Sequence, residues 1–450
     1  VVGGRFPTGV PALAAVAVVV AAVNAPSLLP YLYYTGLTAL TYRLYVGRVR
    51  DEVFALYAGF AAAAVGLYLI QLVALPEYRG LSGGLGVGTD DCSFFFQVSE
   101  PGALALPEGC QRYSGKGLHR YTRALSVLSV FPVRHPLDAL FANVWGAAML
   151  PVFVRGVASW LSGSGRAARS AFLLAAICPF TLSNSLVLVR DGWTATLLIG
   201  ALAFVVHKRY VWAAVCVAAA MYLRMGSGAL ALVVLVFVGY ASSVVSARRP
   251  TSRLVRMAAG AALGGLILGA VTLAVGAALT ERGMELQFYR ADFVASFLSE
   301  NSSDSTLFSI LSQPAPIRVP LSFAFFFGSP FLKLGSVFAG DIFVIRSLLA
   351  AVLFPLLTLV TMPYFVRGGH FAVKRRDWVA LALFTGYILA LLVISQSSLQ
   401  LRHKTLVMPL YYVLVGYGMS RSLPTGRLLG WLVVAAFAGI QVLFLVRAAL

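Results

Sequence analysis

Four short polar stretches in this chain carry residue types that can do chemistry. Gly88-Thr89-Asp90-Asp91-Cys92-Ser93-Phe94-Phe95 sets two adjacent carboxylates, Asp90 and Asp91, in front of aromatic residues. A carboxylate there can act as general base toward an acceptor hydroxyl, with Asp91 ahead of Asp90, or hold a divalent metal on a diphosphate. A polar turn or helix cap is the alternative, since Thr and Asp favour such positions. In Arg190-Asp191-Gly192-Trp193, the forked guanidinium of Arg190 suits a phosphate, with Asp191 orienting it. A local ion pair closing a helical hairpin fits equally well. Leu223-Arg224-Met225-Gly226 places one arginine in a tight turn, as an anion ligand or a snorkelling side chain. Gln400-Leu401-Arg402-His403-Lys404 lines up three cationic or potentially cationic groups before Met408-Pro409. Such a patch can bind a diphosphate and neutralise leaving-group charge, with His403 as an alternative proton shuttle. Anchoring to lipid head groups is the simpler use.

Motifs of soluble enzymes are missing from the sequence: no GxxxxGK[ST] loop, no HExxH, no GxSxG and no Cys/His metal spacing. No metal or other cofactor is therefore expected. The glycine-rich run Gly83 to Gly88 has no strand before it and reads as a flexible connection.

The elements that must position these residues are apolar helices. Hydrophobic residues make up 60% of the 450 positions and charged residues 11%, against roughly 25% charged in a soluble domain. An all-α, polytopic integral membrane protein is the expected fold class, because lipid cannot satisfy a bare backbone and each crossing needs roughly 20 apolar residues. Apolar windows fall at 8–23, 27–43, 53–75, 136–154, 170–187, 192–206, 210–223, 227–246, 256–279, 343–366, 378–395, 405–420 and 428–446, about thirteen spans forming one transmembrane domain over 1–450. The first window lacks a small-residue cleavage pattern and is expected to be a retained helix.

A formal charge of +19 raises nucleic acid as a partner, but the basic residues sit in short clusters between apolar runs instead of on one face. The clusters at Arg43 to Arg50, Arg155 to Arg169, His207 to Arg209, Arg248 to Arg256, Lys374 to Arg376 and Arg421 to Arg427 occupy every second connection. By the positive-inside rule these are cytoplasmic, and so is the N-terminus. Two long connections, 76–135 and 280–342, are then extracytoplasmic loops, and all four polar stretches lie on that outer side. There an oxidising compartment allows a Cys92–Cys110 disulfide, whereas Cys178 and Cys216 fall within helices. Leu118 to Phe131 mixes apolar and basic residues at helical spacing, as an interfacial helix does. Pro320 to Leu334 is apolar but broken by Gly328 and Pro330, as in a re-entrant segment.

The order of these features resembles the GT-C superfamily of polyprenyl-phosphate-dependent membrane glycosyltransferases, and within it the Wzy/EpsG-like polymerases of bacterial polysaccharide repeat units. The resemblance rests on Gly88 to Phe95, His135-Pro136-Leu137, Pro179 to Asp191, Leu223-Arg224, Phe325 to Phe331, and Arg402 to Pro409. It spans roughly residues 80 to 420, in short motifs whose order carries the likeness. The resemblance implies a multi-pass protein of the bacterial inner membrane with an extracytoplasmic active site. Carried over by position, it implies Asp91 or Asp90 near the acceptor, and Arg190, Arg224 and Arg402 with His403 or Lys404 as phosphate ligands; with the residue reading, Asp91, Asp90 and His403 are the candidate catalytic groups. Donor and acceptor would be polyprenyl-phosphate-linked glycans, in contact with membrane lipids and a chain-length regulator protein. The expected reaction is repeat-unit polymerisation. A transferase using a polyprenyl-monophosphate sugar is the alternative, and a lipid-linked glycan flippase is the competitor from another class. A flippase predicts charges in mid-span and internal symmetry, and the sequence has few of the first and no repeat.

Overall fold

The computed structural model describes residues 9–74, 76–81, 89–100, 102, 105, 110, 119–179, 181–182, 187–224, 315–328, 352–397, 401–421 and 424–449. The spans expected at 227–246 and 256–279, and most of the second outer loop at 280–342, lie outside these residues. Among the described residues all regular structure is helical. Among the described residues four stretches are long and apolar enough to cross a membrane: Gly9–Val46, Asp51–Ala74, Pro136–Ser162 and Pro424–Val442.

The first stretch is a helical pair, α1 (Gly9–Asn24) and α2 (Leu28–Val46), broken by a 3-10 turn at Ala25–Ser27. Pro26 has no N–H to continue the ladder, and the Asn24 side-chain amide donates to Ser27 Oγ at 2.7 Å. Gly47, with φ +87°, ends α2 in the left-handed conformation that glycine adopts without steric cost. Helix α3 (Asp51–Ala74) starts with Asp51 and Glu52, which complement its N-terminal dipole. Asp51 also accepts the Gly9 amide at 2.8 Å, which sets the starts of α1 and α3 side by side.

In the long connection 76–135, α4 (Thr89–Val98) and the amphipathic α5 (Arg120–Leu128) lead into α6 (Pro136–Ser162). His135 and Asp138 form a capping box at the head of α6, Pro136 fills its first turn, and Gly163 closes it at φ +63°. Helix α6 is buried nearly all round, so its sequence is apolar on every face. Its first half packs with α1 to α5, and Met149 to Ala158 pack with the later helices. Around it lie α7 (Gly165–Ala176), α8 (Arg190–Val206), α9 (Tyr210–Leu223), α10 (Ala315–Gly328), α11 (Phe354–Arg375), α12 (Trp378–Ser397), α13 (Met408–Ser420) and α14 (Pro424–Ala449).

Several expected spans form helices shorter than the roughly 20 residues of a full crossing. Helix α7 has 12 residues, α9 has 14 and α13 has 13. The window 170–187 is cut because α7 stops at Ala176, before Pro179 and the polar residues that follow it. Of the window 343–366, residues 343–351 lie outside the described residues, and α11 runs on past its end through Lys374 and Arg375, whose charges suit its C-terminal dipole.

Contacts between helix ends sort the polar groups into two layers. At one end Ser27 donates to Asp138 at 2.5 Å, Asn143 donates to the Val187 and Val189 carbonyls, and Arg224 reaches both Asp191 and His403. At the other, Arg155 pairs bidentately with Glu52, Tyr417 donates to Asp377, and Arg421 reaches the Ser162 carbonyl. Among the described residues the basic groups Arg43, Arg155, Arg209, Arg375 and Arg421 belong to helix ends of the second layer.

His135 has a testable role in this frame. Its Nδ1 accepts the Leu137 amide at 3.3 Å, so Nε2 carries the proton and donates to the Tyr68 hydroxyl at 2.9 Å. Burial pushes the imidazole pKa below its ordinary value, with Asp138 opposing. The unfolded chain then binds the extra proton, so stability is fully present above about pH 6.5 and falls as pH drops below it. His135→Asn keeps a good N-cap without a titrating ring. Its melting temperature should fall less than that of wild type when melts at pH 7.5 and 5.5 are compared.

Candidate functional site

The site begins at the head of α8. Val189, its N-cap, has no side chain to cap the helix, and Asn143 of α6 holds the carbonyls of Val187 and Val189 from behind. The same Asn143 accepts from the Tyr121 hydroxyl of α5 at 2.6 Å, which ties the 76–135 connection to this point. Burial raises the Tyr121 pKa well above the usual phenol value, so it is a neutral donor at any physiological pH.

From this platform the two neighbours Arg190 and Asp191 part company. Asp191, only 3% exposed, accepts from Arg224 Nη1 at 2.7 Å, across from the end of α9. Arg224 Nη2 donates to His403 Nε2 at 2.9 Å, joining segments 179 residues apart in sequence. The result is a carboxylate–guanidinium–imidazole chain at the meeting of α8, α9 and the 3-10 turn Leu401–Leu406. It replaces the Arg190–Asp191 pair expected from sequence adjacency, because Asp191 points across to Arg224. His403 Nε2 must accept here, since a guanidinium only donates. His403 thus fixes a cation, and the nitrogen it would use as a base is engaged.

Arg190 turns toward α5, its Nη1 lying 3.0 Å from His119 Nε2. His119 also caps α5, its Nδ1 receiving the Tyr121 amide at 3.2 Å. A neutral imidazole has one accepting nitrogen, so the two N–H donors compete for it. The amide is fixed in the helix, and Arg190 is the donor able to turn away. Among the described residues no carboxylate is ion-paired with Arg190. Sequence reasoning passed over His119, Asn143 and Gln97. Gln97 Oε1 accepts from the His119 amide and the Thr122 hydroxyl, and so docks α4 on α5. A histidine directly before an amphipathic run is a readable N-cap signal, but its approach to Arg190 is a long-range contact.

Asp91 lies on α4, one helical turn before Phe94, whose ring sits 5.0 Å from that of His119 and 5.3 Å from that of Tyr121. The Asp91 carboxylate is 1% exposed, and its Oδ1 accepts the Cys92 amide at 2.9 Å. Asp90 belongs to the same helix and Arg402 to the 3-10 turn, but both side chains lie outside the described residues. Cys92 and Cys110 are joined in a disulfide that closes a loop of 18 residues, a constraint worth about 3 kcal/mol in the chain-entropy account. It pins the start of α4 against the rest of the outer loop.

Lys404 has a different place from the one expected. It is buried to 1% exposure and donates to the Phe327 carbonyl at 2.9 Å, with the Phe354 ring 4.8 Å and the Phe326 ring 5.6 Å away. Desolvation pushes its pKa well below the usual lysine value. The ammonium serves the last turn of α10, where unpaired carbonyls concentrate negative charge. Gln441 of α14 caps the neighbouring Gly328 carbonyl at 3.0 Å. A phosphate ligand needs a cation that faces the ligand, and Lys404 faces a helix end.

Among the described residues no group of three or more His, Cys, Asp or Glu side chains is arranged to hold a metal ion. No protein-family model, curated protein or solved structure matches this chain.

Proposed function

We propose that this chain is a membrane glycosyltransferase acting at the extracytoplasmic face on polyprenyl-(di)phosphate-linked glycans, and that it polymerises surface-polysaccharide repeat units. The observation that carries the reading is that the head of α8 has one arginine on each side, Arg190 toward His119 of α5 and Arg224 held by Asp191, with Asp91 buried on α4, whose Phe94 ring packs against His119. Glycosyl transfer from a lipid phosphate needs those two things: cations for the departing phosphate and a base for the incoming hydroxyl.

The roles follow from the hydrogen bonds. Arg224 is held by Asp191 on one side and His403 on the other, and presents fixed positive charge. Arg190 exchanges the neutral His119 ring for a phosphate oxygen, a stronger, charge-assisted partner. Helix α8 adds its N-terminal dipole. With His403 Nε2 engaged, Asp91 is the group that takes the acceptor proton as the glycosidic bond forms and the lipid phosphate leaves with the bonding electrons. Placement among apolar helix ends lets a lipid-borne substrate enter sideways from the bilayer.

Binding of a fluorescent polyprenyl diphosphate to the reconstituted protein tests the first step. Arg190→Gln should raise the Kd about tenfold without changing the melting temperature, as loss of one charged hydrogen-bond donor predicts. Equal affinity in wild type and variant would remove Arg190 from the site, and absence of binding to wild type would remove the lipid phosphate itself.

A further inference from the structure

The contact between Arg190 and His119 brings two hydrogen-bond donors together. His119 is the N-cap of α5, with extended backbone at φ −60° and ψ 146°, and its Nδ1 receives the Tyr121 amide at 3.2 Å. That use of Nδ1 puts the proton of the neutral ring on Nε2. Nε2 is also the atom that lies 3.0 Å from Arg190 Nη1, so an N–H of each group points into the same space. One acceptor that takes both reconciles them, and an anionic oxygen with several lone pairs does so. Both side chains are half-buried, so this point is open to the surface.

The imidazole is held for such a role from several directions. Its backbone amide donates to Gln97 Oε1 at 3.0 Å, its Nδ1 is engaged by the helix cap, and the Phe94 ring centre lies 5.0 Å from its own. Arg190 is the first residue of α8, where the helix dipole also favours an anion. A ring fixed in this way presents its N–H in a set direction, at little further cost in side-chain entropy. Were His119 only a resting partner for Arg190, it would compete with a ligand for the guanidinium. The two roles predict opposite signs: removing a competitor tightens binding, and removing a ligand-binding group weakens it.

We propose that the His119 Nε2–H is a second ligand of the phosphate that Arg190 binds, so that imidazole and guanidinium clamp one phosphoryl group of the lipid-linked donor between α5 and α8. The inference rests on the reading of this site as a lipid-phosphate site, and it adds to that site a group from the 76–135 connection.

The test is the Kd of a fluorescent polyprenyl diphosphate for the reconstituted full-length protein, in wild type and in His119→Asn. Asparagine keeps the N-cap of α5, and its shorter side chain does not reach Arg190. The Kd should rise about tenfold, as loss of one donor to a charged acceptor predicts, at an unchanged melting temperature. His119→Ser, which also retains an N-cap, should give the same rise. A Kd that stays level or falls overturns the proposal, and a rise in Arg190→Gln alone would leave the phosphate site itself standing. Absence of binding to wild type would overturn both. Wild type gives a second readout that no folding defect can mask. With isotope-labelled histidine, the His119 Nε2–H proton signal, assigned through its contact with the Phe94 ring, should move downfield as the ligand saturates the protein. A signal that stays in place at saturation overturns the proposal.

Discussion

Arg224→Gln is expected to produce the largest combined loss of stability and activity. Removing the guanidinium takes the Arg224 ion pair from Asp191, which is 3% exposed. Breaking a buried pair from one side costs about 3 to 5 kcal/mol. The Arg224 side chain is 22% exposed, so water relieves part of this and about 2 to 3 kcal/mol remains. The penalty comes from a buried charge that has lost its countercharge, so the double variant Asp191→Asn with Arg224→Gln should melt above Arg224→Gln alone. A thermal-shift cycle over the four proteins checks this. If the double variant loses the sum of the two singles, the pair is not coupled. In the double variant, stability returns but transfer does not, because the cation that neutralises the leaving phosphate is still absent; about 100-fold in rate should be missing.

Asp91→Asn should separate the two effects the other way. The amide oxygen of asparagine can still accept the Cys92 N–H, and Gln97, which docks α4 on α5, is untouched, so the loss should fall on rate far more than on melting temperature. A general base is lost, and with it about 10²- to 10⁴-fold in rate. Affinity for the lipid phosphate should stay at the wild-type level, because Arg190 and Arg224 are untouched. A variant that turns over at the wild-type rate would move the base elsewhere, with Asp90 the next to replace.

Much of the frame is legible in the sequence because it is set by local chemistry. Pro26, the capping box of His135 and Asp138, and the C-caps at Gly47 and Gly163 fix helix ends through backbone geometry alone. The alternation of basic clusters anticipates which helix ends meet, since Arg155 with Glu52 and Arg421 with Ser162 fall at one end and Arg224 with His403 at the other. Helix lengths are less legible. A window average over 170–187 cannot see that Pro179 and its polar neighbours cut α7 short, or that α11 carries charges through its last turn.

The polar stretches could be listed from the sequence, but not their partners. Adjacency suggested Arg190 with Asp191, whereas residues at positions i and i+1 of a helix point to different faces. Asp191 therefore meets Arg224 and Arg190 meets His119. Lys404 follows His403 directly, yet the turn sends it to the end of α10, while His403 faces Arg224. His403 and Lys404, adjacent in sequence, do not share one partner because their side chains diverge.

The most direct test of the account is glycan extension by the full-length protein in proteoliposomes supplied with a polyprenyl diphosphate oligosaccharide. The account predicts a ladder of lengthened glycans in wild type that disappears in Asp91→Asn. No lengthening with either a diphosphate- or a monophosphate-linked donor, accompanied by movement of the lipid-linked glycan across the bilayer, would contradict it and make the protein a transporter.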